Sequence, residues 1–153
     1  MHPPITDLYK KITQLLTDNA FKAILLEFAL KEIAHFDLYE KQPYRESTEI
    51  AYNLPAVFSE IFLNSSEQSA GMRVENYTLK LYIEQKQLGS TAESSHNQEN
   101  ALKTLLLTET IKDYLLKNNP VFILKKLYLD QRGKNNPVHV IEFEFSTNIR
   151  NNC

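Results

Sequence analysis

Glycine is nearly absent from this chain: among 153 residues only Gly71, Gly89 and Gly133 occur, far apart. The phosphate-cradling loops G-x-x-x-x-G-K-[ST] and G-x-G-x-x-G need clustered glycines, and so does the strained G-x-S-x-G elbow of serine hydrolases. None can be written here. Tryptophan is missing, and the single cysteine is Cys153, so no disulfide can close within the chain. A reducing, cytoplasmic setting is the expectation. The opening MHPPITDLYKK has no apolar stretch of signal-peptide type. The longest nearly apolar run, FKAILLEFAL, carries Lys22 and Glu27 and falls short of the roughly twenty residues that span a bilayer. No membrane partner is therefore expected.

Charge of one sign is also lacking. The 17 basic and 19 acidic residues are interspersed and leave a formal charge of -2, which builds no basic stripe for tracking a nucleic-acid backbone. Sequence-specific nucleic-acid binding is not expected. What the chain does have is apolar and aromatic content: 42% hydrophobic residues, with eight Phe and eight Tyr. That is too much for a disordered chain and enough for one core, so a single domain over residues 1–153 is expected.

Ile5, Leu8, Tyr9, Ile12, Leu15 and Leu16 recur at the spacing of one helix face, with Thr6 or Asp7 as a candidate cap and Asp18-Asn19 as its end. Residues 21–31 fit either a helix or a strand. Residues 33–41 alternate as a strand, 42–53 read as a polar excursion around Pro43, and 54–63 resume as a strand. The composition of residues 64–71, NSSEQSAG, predicts a loop. Tyr77, Leu79, Leu81 and Ile83 then line one face of a half-buried strand.

Residues 87–98, QLGSTAESSHNQ, have no apolar anchor and predict a mobile loop, within which Ser90, Glu93 and His96 are candidate contacts to a partner. A helix is expected from Glu99 to Asn118. Leu102, Leu105 and Leu106 point one way, and Leu107, Ile111, Tyr114 and Leu115 point nearly opposite. Either the helix breaks near Thr108 or it is covered on both sides. Two-sided cover would need a partner, which makes Leu107, Ile111 and Tyr114 candidate subunit-interface residues. Beyond Pro120, residues 121–130 and 138–145 form a hairpin with Ile141, Phe143 and Phe145 on the core face. The element order defines an α+β fold: a mainly antiparallel sheet of about five strands with two or three helices packed on it.

Candidate chemistry is sparse. His35 and Asp37 share a strand face, yet two groups do not make a metal site without a third ligand. His139 is expected at a sheet rim, and His96 is expected to be solvated. Glu60, Glu75, Glu84, Glu142 and Glu144 are carboxylates on strands, where edge protection explains them more simply than acid-base catalysis. Lys125-Lys126 places one lysine toward each face of a strand, a hint of an interface. No catalytic residue, no metal and no cofactor are assigned, and no enzymatic activity is expected.

The stretch IAHFDLYEKQP, residues 33–43, with the acidic excursion after it and then LPAVFSEIF, resembles the tail terminator proteins of phages and prophages, especially forms from Bacteroidetes-type elements. The resemblance covers most of the chain in element order and about twenty residues by motif. Residues 21–31 and the SEIF ending depart from the pattern. It implies a structural virion protein located in the tail and neck and made in the host cytoplasm. It further implies a homo-oligomeric ring, usually a hexamer, that caps the tail tube and joins it to the neck or connector. A neighbouring head-tail connector or completion protein is the alternative within virions. A small enzyme or ligand-binding domain using the His35-Asp37 face is the alternative from another class.

Overall fold

A computed structural model describes residues 4–47, 49–86, 94–130 and 136–150 of the protein. The order is α1 (Pro4–Thr17), α2 (Asn19–Glu27), β1 (His35–Leu38), a short 3-10 turn (Gln42–Tyr44), β2 (Ala56–Ser69), β3 (Met72–Glu84), α3 (Ser94–Asn118), β4 (Ile123–Asp130) and β5 (Val138–Arg150). Among the described residues, three α-helices and one five-stranded mixed sheet make an α+β fold. The sheet order is β1-β2-β3-β5-β4, with β1 parallel to β2 and every other pair antiparallel.

Pro4 opens α1, where its missing N–H costs nothing, so Thr6 and Asp7 lie inside the helix instead of capping it. Ile12 and Leu16, four residues apart, are buried. The ambiguity of residues 21–31 resolves as helix up to Glu27 and as turn and coil beyond it, with Asp18 capping α2: its carboxylate accepts the N–H of Phe21 at 2.7 Å. Phe21 and Leu25, again four apart, are the buried pair. The helix closes through N–H groups of Ala29 and Leu30 bonding to the carbonyls of Leu26 and Leu25. This ending needs a left-handed residue, and with glycine scarce Ala29 takes that role at φ 56°.

β2 and β3 pair over nearly their whole length and join through the two-residue turn Ala70-Gly71, with φ of 50° and 78°. Positive φ at both positions suits the right-handed twist of a hairpin. Residues 64–71 are therefore strand and turn, not the loop their composition suggested. Backbone pairing and side-chain amides replace an apolar face there: Asn76 Nδ2 donates to Ser65 Oγ at 2.8 Å, and the Ser146 hydroxyl donates to Asn76 Oδ1.

All three helices pack on one face of the sheet, against Val57, Leu79, Leu81, Ile83, Ile141 and Phe143. α3 begins at Ser94 and runs unbroken to Asn118, so it starts five residues before the expected boundary and includes the backbone of His96. Thr108 does not break it. The Thr108 and Thr110 hydroxyls bond back to the carbonyls of Thr104 and Leu106, which satisfies them inside the core.

The interface assignment for α3 needs correction. Leu107, Ile111 and Tyr114 are 2%, 0% and 8% exposed within the single chain, because this is the face that α3 lays on its own sheet. They offer no surface to a second copy. The opposite stripe is the outward one: Leu105 and Leu106 are half-buried and Leu102 is exposed. Tyr114 has a further structural role, since its hydroxyl donates to Asp18 and so ties α3 to the cap of α2. Among the described residues, no helix is long and apolar enough to cross a membrane.

Ile111→Ala should therefore destabilise the folded chain itself, by about 2–5 kcal/mol. Urea unfolding followed by far-ultraviolet circular dichroism checks this. An unchanged midpoint would return Ile111 to the surface.

Candidate functional site

The face of the sheet turned away from the three helices carries Tyr82, Glu84, Lys80, Glu142 and Lys126. The pairing register arranges them in rows across the strands. The innermost row is Ala56, Glu84, Val138 and Asp130; the next is Phe58, Tyr82, Val140 and Tyr128; the third is Glu60, Lys80, Glu142 and Lys126. Beyond these the sheet continues as an arm made of the far ends of β2, β3 and β5.

The two inner rows are covered by the segment between β1 and β2, which the sequence presented as a polar excursion. Tyr39 stacks on Tyr82 with ring centres 3.9 Å apart, and Tyr44 meets both rings edge-on. The Tyr44 hydroxyl donates to Asp130 at 2.7 Å. Tyr52 packs edge-on against Phe58, and His35 stacks on Tyr52 at 5.1 Å. With Ala56, Phe58, Tyr82, Val138 and Val140 these residues form a second, smaller core.

Glu84 lies at its base with a fully buried side chain. Arg45 Nη1 donates to both of its carboxylate oxygens, at 3.1 and 2.8 Å. The Tyr52 hydroxyl donates to Oε1, and Asn136 Nδ2 donates to Oε2 at 2.8 Å. Each oxygen thus accepts two hydrogen bonds, the arrangement a buried carboxylate requires. Edge protection does not describe Glu84, because it is a fastening for the covering segment. Burial, and then the hydrogen bond and charge of Glu84, hold the Tyr52 phenol well above its usual range. With both oxygens engaged in this way, Glu84 is placed to hold Arg45, not to take a proton from a substrate.

The third row sits where the cover ends. Lys80 Nζ lies 3.3 Å from Glu142, Lys125 Nζ lies 3.6 Å from Glu144, and the Tyr82 hydroxyl donates to Glu60 at 3.2 Å. A β-bulge between Leu124 and Lys126 lets both lysines of the pair be exposed, which the two-faced reading of Lys125-Lys126 did not include. An open groove of about 580 Å³ lined by Lys125, Lys126, Leu127 and Tyr128 flanks this strand.

His35 and Asp37 do meet, with Nε2 and Oδ2 3.7 Å apart. Among the described residues no group of three or more His, Cys, Asp or Glu side chains could hold a metal ion. Ser90 and Glu93 lie outside the described residues, as does the side chain of His96. His139 is buried, not at a rim. It sits on the helix side between Ile83 and Leu129 in register, and its Nδ1 has no hydrogen-bond partner among the described residues. Burial lowers its pKa from the usual value.

The arm is the part that the sequence hid most completely. Residues 62–69 of β2 are all exposed, on both faces of the strand. Tyr9 marks its root: its hydroxyl accepts the N–H of Ile61 at 3.0 Å on the side away from β3. β1 pairs with β2 only from Ala56 to Ser59, so beyond Ile61 no strand among the described residues lies along the outer edge of β2. Phe62, Leu63 and Met72 are exposed there. No protein-family model matches the chain, and no curated protein matches it either.

Two outcomes test these assignments. Glu84→Ala leaves the half-buried Arg45 beside a cavity without its carboxylate and should cost about 3–5 kcal/mol of stability in urea titrations, whereas Tyr52→Phe should cost about 1–2 kcal/mol. For His139, the unfolded chain binds a proton more readily than the folded one. Stability is thus fully present above about pH 6.5 and falls as the pH drops through that value toward the lower folded pKa. Urea midpoints measured between pH 7.5 and 5 check the slope, which His139→Leu should flatten (about two pH units of range suffice).

Proposed function

We propose that the protein is a structural virion subunit that assembles into a homo-oligomeric ring, capping a phage tail tube and joining it to the neck. The observation that carries this reading is the arm. A lone domain of this size has little reason to extend three strands beyond its helices and leave Phe62, Leu63 and Met72 in water. A ring subunit does, because a closed ring needs two different patches on each copy. The α+β fold agrees with what the tail-terminator resemblance implies, and the doubly bonded Glu84 is built for holding structure. The hexameric count and the partners, a tail tube protein and a neck or connector protein, belong to the same reading.

Native mass spectrometry and negative-stain images of the purified chain test it. A single closed assembly of defined stoichiometry, found at one end of isolated tail tubes after mixing, is expected. A monomer at all concentrations would overturn the proposal.

A further inference from the structure

Resting on the ring reading, we propose that the contact between subunits is made edge to edge: the open outer edge of β2 beyond Ile61 takes up β4 of the next copy. The sheet order puts these two edges at opposite ends of one sheet. A contact between them is heterologous, the kind that closes into a ring when the rotation allows.

Strand direction agrees with this pairing. From β2 to β3 the direction reverses, from β3 to β5 it reverses again, and from β5 to β4 once more, so β4 runs opposite to β2. Rotation about an axis along the strands preserves direction. The two edges therefore meet antiparallel, the arrangement with hydrogen bonds perpendicular to the strands. The edges are also staggered. β4 pairs with β5 from Val138 to Glu144, while the arm of β2 lies level, through β3, with the rest of β5 up to Arg150. Sheets closed around an axis require tilted strands and such a stagger.

Charge selects the partner. Beyond Ile61 the only charged residue of β2 is Glu67, whereas β4 offers the exposed Lys125, which lies 3.6 Å from Glu144 of its own chain, and the exposed Lys126. Its one acid, Asp130, accepts the Tyr44 hydroxyl. Paired lysines on an edge strand protect it against its own kind, since β4 against β4 would set like charges together. Against an acidic edge the same lysines become attractive. Exposed apolar residues are present on both sides, Phe62 and Leu63 on one edge, Ile123 and Leu124 on the other.

Charge reversal in the full chain tests the pairing, read by native mass spectrometry and electron microscopy at low salt. Glu67→Lys alone and Lys125→Glu with Lys126→Glu should each weaken the ring at least about tenfold against dilution. Circular dichroism should show both variants folded, because all three residues are exposed. Mixing the two variants should restore rings in which they alternate strictly one to one, and joining all three changes in one chain should restore them too. If wild type forms rings and the variants form them equally well, or if mixing restores nothing, the edge pairing is overturned and the ring reading stands. Wild type that never leaves the monomer removes the ring reading itself.

Discussion

The alternation of side chains along β3 is the constraint around which the molecule is arranged. This central strand is paired along its length by β2 and β5, so both of its faces must be covered wherever apolar residues point from them. Leu79, Leu81 and Ile83 face the helices. Tyr82 and Glu84, on the intervening positions, face the other way and are also buried. One face could be closed by helices in the ordinary manner of an α+β fold. Among the described residues the other received no helix, and the loop between β1 and β2 closes it with tyrosines and one arginine.

A pairing of phenol with carboxylate recurs in both cores. Tyr44 donates to Asp130, Tyr52 to Glu84, Tyr77 to Glu75, Tyr82 to Glu60 and Tyr114 to Asp18. The ring supplies apolar contact and the hydroxyl satisfies an acid that would otherwise need water. Burial and the neighbouring carboxylates push the phenols of Tyr77 and Tyr114 up to about 12, which keeps them protonated donors throughout the physiological range. A buried ion pair such as Arg45 with Glu84 adds little net stability over an apolar pair of the same shape. What it adds is a single acceptable position for the covering loop.

The fold class could be read from sequence because its signals are local. The helix face of α1, the alternation of Tyr77 to Ile83 and the hairpin of β4 and β5 each follow from spacing within one element. The second core could not, because Tyr39, Tyr44, Arg45 and Tyr52 carry polar atoms and score as a hydrophilic excursion until Glu84 and Asp130 are placed opposite them. The arm was hidden for the reverse reason: Asn64, Ser65, Ser66 and Gln68 have the composition of a loop, and only long-range pairing makes them a strand. Leu107, Ile111 and Tyr114 misled because a helix with apolar residues on two sides does not say which side its own domain uses.

The bulge between Leu63 and Ser65 stands at the root of the arm. Bulges bend and twist the strand that carries them, so this one acts as the pivot of a lever. Six residue steps from Asn64 to Ala70, at about 3.3 Å each, give the lever a reach of about 20 Å, and a bend of about 10° at the pivot would swing the tip at Ala70-Gly71 by about 3 to 4 Å. Small changes of backbone geometry beside Asn64 are thereby converted into displacements of several ångströms at the tip. Whatever meets the tip is aimed by a single extra residue far from it.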